Sequence, residues 1–339
     1  MTQSEEQADI NWLPQRQHTE NGSERRVGVE IEMTGLGPEQ ICQAIASHLG
    51  GRVTEQTPLE WFVRDTQLGD FKVELDASYL KALAEQELLK PEDSLGDVAM
   101  SLLTSAAEQV VPWELVTPPL PLSRLKSLHP LIADFRKLGA KGTRDAIHYA
   151  FGVHLNPELP ALDAATITAY LKAYLCLYDW IVACDKTDLS RRLTTYIKHF
   201  DKRYIALVID PDYRPDQTTL IDDYLRFNPS RNRSLDMLPL FAYLDEDRVR
   251  QTVDDPRINA RPTLHYRLPN CDIDNPLWNI DNAWQHWLVV ESLAQNPQRL
   301  LQWSQEYQQE LSRLTHTFES RWLLRTEQLL EDEQTNGRV

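Results

Sequence analysis

The chain has 339 residues, a hydrophobic fraction of 42%, a charged fraction of 25% and a formal net charge of −16 at neutral pH. This length and apolar content suit one large or two ordinary globular domains. The acidic balance argues against a nucleic-acid-binding surface, which needs clustered Lys and Arg, although local basic groups or a cation can still hold an anionic nucleotide.

Residues 1–24 read as a polar tail. A strand follows over Arg25 to Thr34, then a helix over Pro38 to Leu49, opened by proline and closed by Gly50-Gly51. Trp61 to Asp65 and Phe71 to Ala77 predict a β-hairpin joined through Gln67 to Asp70. Asp93 to Gln109 has helical character. Trp113 to Thr117 is a short strand stopped by Pro118-Pro119. Leu122 to Leu138 predicts a helix ending near Gly139, and His148 to Asn156 a strand closed by Pro157. From Asp163 to Ala183 helix formers dominate, and Leu189 to Phe200 continues in the same character. Thr218 to Leu244 mixes loops with short helical pieces, Arg261 to Leu268 returns to strand, and Asn282 to Glu331 is helical, divided in two by Pro297. Trp284, Trp287, Trp303 and Trp322 are expected in its core. The apolar run Ala173 to Cys184, interrupted by Asp179, is too short for a membrane span. Met1 to Pro14 has neither the positive nor the apolar region of a signal peptide. Cys42, Cys176, Cys184 and Cys271 form no CxxC pair, so a zinc ribbon is not expected and reduced thiols point to the cytoplasm.

Side chains alternate across a strand, so positions i and i+2 share a face. In the first strand Val27, Val29, Ile31 and Met33 oppose Gly28, Glu30 and Glu32. Phe71, Val73, Leu75 and Ala77 oppose Glu74 and Asp76. Glu114 lies opposite Trp113 and Leu115. His148, His154 and Asn156 oppose Tyr149, Phe151, Val153 and Leu155, while Arg261, His265 and Arg267 oppose Leu264, Tyr266 and Leu268. An ordinary wet face mixes Thr, Lys, Ser and Gln. Here three strands offer acids, one offers histidines and one arginines, and the small residues Gly28, Ala150 and Gly152 leave room beside them. Such a face fits nucleotide–metal chemistry, in which Mg²⁺ takes carboxylate and phosphate oxygens and arginines offset the remaining negative charge.

Five segments in order resemble the amidoligase family, within the glutamine-synthetase-like superfamily of carboxylate–amine ligases. They are Gly28-Val29-Glu30-Ile31-Glu32-Met33, Val73-Glu74-Leu75-Asp76-Ala77-Ser78, Glu114-Leu115-Val116-Thr117-Pro118-Pro119-Leu120, Gly152-Val153-His154-Leu155-Asn156 and Leu264-His265-Tyr266-Arg267-Leu268. The resemblance spans residues 25 to 275. Ala77 stands where the family more often has Gly, and the stretch Asp185 to Asn259 aligns with nothing. The resemblance implies an α+β fold, with a curved, mostly antiparallel sheet around the site and helices packed outside. The catalytic domain covers 25–275 with a helical insertion near 160–250, and the helices of 276–331 pack on it. It also implies ATP, Mg²⁺ or Mn²⁺, and an acyl-phosphate route joining a carboxylate to an amine, with an amino acid or small peptide as substrate. Glu30, Glu32, Asp76, Glu114 and His154 are the metal candidates, with Glu30 also catalytic. Arg267 is the candidate for stabilising the transferring phosphoryl group, and Arg231, Arg233 and Arg261 for further nucleotide contacts. His148 reads as a structural histidine before a ligand.

No Walker P-loop, GxGxxG, HExxH or GxSxG occurs. Arg191, Arg192, Lys198, Lys202 and Arg203 read first as a solvated helix face. The same acids and His154 would also serve a metal-dependent amide hydrolase, and a non-catalytic nucleotide- or peptide-binding relative is a third reading. Amine-dependent release of ADP separates the three. The sequence names neither substrate and leaves the oligomeric state open; no nucleic acid or membrane partner is expected.

Overall fold

Val27, Val29, Ile31 and Met33 are fully buried, and this period of two builds the central strand β1, Arg26–Met33. The structure, a computed structural model, describes residues 12–75, 112–143, 151–185, 197–313 and 318–335. The chain forms two compact units: a sheet unit, Arg26–Asn156 with Pro269–Asp281, and a helical unit, Met1–Arg25, Pro157–Leu268 and Asn282–Val339.

In the sheet unit β1 is followed by helix α1, Pro38–Leu49, with Pro38 in its first turn and Gly50 after its end. Then come β2, Arg52–Thr57, β3, Glu60–Thr66, β4, Gly69–Leu75, β5, Trp113–Val116, and the short β6, Leu120–Pro121. A 3₁₀ helix over Leu122–Leu128 leads into α2, His129–Leu138, and β7, Val153–Pro157, completes the unit's strands. The order is β2-β3-β4-β5-β1-β7, with β6 paired to the start of β1. The pairs β2–β3, β3–β4, β4–β5 and β1–β5 are all antiparallel. One face is apolar. Val63, Phe71, Val73, Leu115 and Ile31 are buried there, as are Ile41, Cys42 and Ile45 of α1, which packs against β2, β3 and β4. Helix α2 packs on α1 through Leu131, Ile132 and Phe135 and ends at Gly139, whose φ of 105° suits glycine. Arg136 donates to the carbonyls of Ile273 and Trp278, which fastens the late segment 269–281 to this unit.

The helical unit centres on α3, Ala164–Cys184, capped by Asp163, whose carboxylate accepts from the Thr166 amide. Around it lie α4, Lys202–Ile209, α5, Gln217–Phe227, β8, Leu235–Asp236, α6, Leu238–Leu244, α7, Glu246–Thr252, β9, His265–Tyr266, α8, Asp281–Ala294, α9, Pro297–Ser312, and α10, Phe318–Thr335. β8 and β9 pair antiparallel. Helix α3 is longer than the apolar run read in the sequence. By length and composition alone it could cross a membrane, and 67% of its most apolar window is buried inside the protein. Helices α4, α9 and α10 pack on it. Trp322 Nε1 donates to the Cys176 carbonyl at 2.7 Å, and Trp284, Trp287, Trp303 and Trp322 are core residues, as expected. Inside the polar N-terminal stretch Trp12 is buried against Trp284, and its carbonyl accepts from the Trp284 indole. Fully buried Arg25 pairs with the Glu291 carboxylate, which also accepts from Tyr170, Trp287 and Gln295. Removing one partner of such a buried pair costs about 3–5 kcal/mol, because the other charge is left uncompensated.

Several elements differ from the sequence reading. Strand β2 went unread because Arg-Val-Thr-Glu-Gln-Thr has no apolar alternation; it is an exposed edge strand. The predicted helix Leu122 to Leu138 is divided at His129-Pro130, where proline occupies the first turn of α2. Ile197 to Phe200 is not helical, and the rest of the predicted segment lies outside the described residues. The strand expected over Arg261 to Leu268 is reduced to His265–Tyr266. The C-terminal region holds three helices rather than two, since α9 stops at Ser312. Helices α4 and α7 were not read. The segment Asp93 to Gln109 lies outside the described residues, and so does the start of the histidine strand.

Candidate functional site

The polar face of the sheet unit is built by register. Glu32 of β1 stands opposite Glu114 of β5, and Glu114 opposite Glu74 of β4. Glu30 stands opposite Val116, two residues along the same face. β7 flanks β1 on its other side and brings in His154 and Asn156. His154 Nδ1 lies 3.0 Å from Glu30 Oε2, and its Nε2 lies 3.5 Å from Glu32 Oε1. Glu114 Oε1 is 3.8 Å from His154 Nδ1. Asn156 Nδ2 donates to Glu30 Oε1 at 2.8 Å. The Gly152 amide donates to Glu32 Oε2 at 2.5 Å, and the Gly152 carbonyl accepts from the Glu32 amide at 3.0 Å. Thr117 fixes the neighbouring backbone, its Oγ1 accepting from the Val29 amide.

These acids are held in place from several sides. His154 and Glu32 are buried, while Glu30 and Glu114 are partly so. Ligand atoms of Glu32, Glu114 and His154 all lie within 4.8 Å of one another. Donors 2.0–2.6 Å from a hard divalent ion stand about that far apart, so this oxygen-rich set with one imidazole fits such an ion. Carboxylates this close repel each other unless a cation is near. Glu30 meets the ring nitrogen of His154 that points away from Glu32, which is the carboxylate–histidine arrangement that orients a metal-ligating imidazole.

The structure thus brings together Glu30, Glu32, Glu114 and His154. Asp76, His148, Ala150, Arg191 and Arg192 lie outside the described residues. Asn156 went unassigned in the sequence reading, although it shares the face of His154. It packs against Gly28, where a Cβ would stand 3.4 Å from Asn156 Cβ, at ordinary contact distance. Lys72 was also missed, being hidden in an otherwise ordinary hairpin. Its Nζ contacts Glu60 Oε1 at 2.7 Å and Glu74 Oε2 at 2.8 Å.

The arginines belong to the helical unit. Arg267 Nη1 donates to the Arg231 carbonyl at 3.0 Å. Burial and the like charge of Arg267 together lower the Arg231 pKa. Asp236, close enough to both to feel their charge, is fully buried, with Oδ1 accepting from the Leu238 amide. Burial pushes its carboxyl up to about 6, against the lowering pull of Leu238, Arg267, Arg231 and Arg261. Arg261 Nε donates to Thr263 Oγ1 at 3.2 Å. Arg233 is committed to its own loop, donating to Asn228 Oδ1 and to the carbonyls of Asn232 and Phe227. Lys202 and Arg203 are exposed, with Asp201 and Glu319 as neighbours, in line with a solvated face.

No curated protein and no solved structure matches the chain. The family model described as "Putative amidoligase enzyme" matches residues 23–289, most of the chain and all five motifs on which the resemblance rests. The chain therefore belongs to the amidoligase family.

Proposed function

We propose that the protein is an ATP-dependent carboxylate–amine ligase that forms an amide bond on an amino acid or small peptide, in the reducing cytoplasm. The observation that carries this reading is the set Glu32, Glu114 and His154, braced by Glu30 and Asn156, in a chain of the amidoligase family. Glu32 and Glu114 would hold Mg²⁺ or Mn²⁺ with His154, and Asp76 remains a candidate ligand from the sequence. Bound there, the ion supplies Lewis acidity and charge neutralisation for a triphosphate. Glu30 acts one step back: its carboxylate holds the His154 ring while Asn156 holds the carboxylate. Arg267, Arg231 and Arg261 are assigned to anion binding, and Arg233 to shaping the loop that carries Arg231.

The reaction begins when a substrate carboxylate oxygen attacks the γ-phosphorus of ATP and ADP leaves. The amine nitrogen then attacks the carbonyl carbon, the carbon–oxygen bond to phosphate breaks, and the nitrogen gives up a proton. Charge builds on the phosphoryl oxygens in the first step, and the arginine forks suit it. An oxygen-18 label in the carboxylate tests the route. One labelled oxygen should appear in inorganic phosphate for each amide formed. Unlabelled phosphate with amide formation would exclude the acyl phosphate.

A further inference from the structure

Cys42, Cys176 and Cys271 are buried, while Cys184 is exposed. Burial pushes the Cys42 thiol up to about 12 and raises that of Cys176 as well, which makes both poor nucleophiles at neutral pH. Cys184 stands in different surroundings. It closes helix α3, and Asp185 is the residue that caps the helix. Positions i and i+4 share a helix face, so Trp180 lies on the same side as Cys184. His286 of α8 meets that side in three ways. Its ring stands edge-on to Trp180, with centroids 5.2 Å apart. Its Nδ1 lies 2.7 Å from Asp185 Oδ1. It also shares a hydrogen bond with the Cys184 side chain. The His286 and Asp185 side chains are only 15% and 7% exposed, so water and salt screen their attraction little. Burial disfavours the charged ring, but Asp185 and Cys184 outweigh this and raise its pKa to about 9, so the ring is positive at neutral pH.

We propose that Cys184 is a site of reversible thiol modification, a nucleophile served by the His286–Asp185 pair, and that it forms mixed disulfides with small disulfide-bearing molecules. A positive ring beside a cysteine sulfur favours the sulfur's attack. In the step, Cys184 gives up its thiol proton to solvent and its sulfur attacks one sulfur of the small disulfide. A new S–S bond forms as the old one breaks, and the departing sulfur leaves as a thiolate that takes up a proton. Cys184 is oxidised and the departing half of the disulfide is reduced. Distance rules out closure along the helix. Cys176, on the same helix, is about 12 Å away along its axis, and a disulfide needs Cα atoms about 4.4–6.8 Å apart. The product is therefore a mixed disulfide with an external molecule, and fresh thiol reverses it.

Glutathione disulfide added to the reduced full chain at neutral pH tests this, read by intact mass with peptide mapping. One adduct should form on Cys184, dithiothreitol should remove it, and Cys184→Ser should form none. His286→Gln should slow formation of the adduct roughly tenfold or more, and Asp185→Asn should slow it in the same direction. A substitution that only loosened the fold would uncover Cys176 and speed labelling, so slowing is not a folding effect. If His286→Gln does not fold, Asp185→Asn decides. No adduct on the wild type, adducts on the buried cysteines as fast as on Cys184, or a Cys184 rate unchanged or raised in the folded variants overturns the proposal.

Discussion

Replacing Glu30 with glutamine separates a metal ligand from a residue that positions one. Glu30 accepts two hydrogen bonds on different oxygens, from His154 at 3.0 Å and Asn156 at 2.8 Å. Glutamine has nearly the same shape but a single acceptor oxygen, so one of the two donors loses its partner. Leaving a buried donor unsatisfied costs about 1–3 kcal/mol. The substitution also removes one of three neighbouring carboxylates, and the relieved repulsion offsets part of that cost. The metal-free protein should therefore keep a thermal midpoint near that of the wild type. Metal affinity should not survive as well. Loss of the carboxylate that orients a ligating histidine typically weakens binding 10–100-fold, or about 1.4–2.8 kcal/mol. Titration calorimetry with Mn²⁺ should place Glu30→Gln between the wild type and Glu114→Gln, which removes a proposed direct ligand. The added thermal stability at fixed Mn²⁺ should shrink in the same order. Unchanged affinity in Glu30→Gln would refute the positioning role; a loss as complete as that of Glu114→Gln would make Glu30 a ligand itself.

Ile31 is fully buried behind the acids, so Ile31→Ala should cost about 2–5 kcal/mol; a midpoint equal to the wild type's in thermal unfolding would contradict the face assignment. Arg267→Lys keeps the charge but loses the planar fork, and steady-state kinetics should show the loss mainly in kcat with little change in stability; unfolding of the variant would mark Arg267 as structural instead. Burial lowers the pKa of His286, but its ion pair with Asp185 at 2.7 Å, together with Cys184, outweighs this and raises it from 6.5 to about 9. Its contribution to stability is fully present below pH 6.5 and is lost as pH rises through about 9; His286→Gln should flatten that part of a stability–pH profile, and an unchanged profile would remove the pair from the account.

The elements that were legible in the sequence carried their own signal. β1 shows a clean period of two, and α1 is bracketed by Pro38 and Gly50. Glu30, Glu32, Glu114 and His154 lie on faces that alternation marks in half-buried strands, and the family resemblance singled them out there. What escaped depends on neighbours distant in the chain. Asn156 reaches Glu30 because β7 lies beside β1. Lys72 acquires meaning only when register aligns Glu60 with Glu74. Asp236 looks like an ordinary loop acid until three arginines gather round it. β2 has no apolar face to read, and the two-residue strand β9 is too short for its ends to be marked by pattern.

The most direct test of the proposed activity is ADP release from ATP and Mg²⁺ in the presence of candidate carboxylates, with and without an added amine. Release should require both substrates, yield one ADP for each amide bond and disappear in Glu114→Gln. Amide hydrolysis that proceeds without nucleotide, or ATP binding with no turnover under any amine, would contradict it.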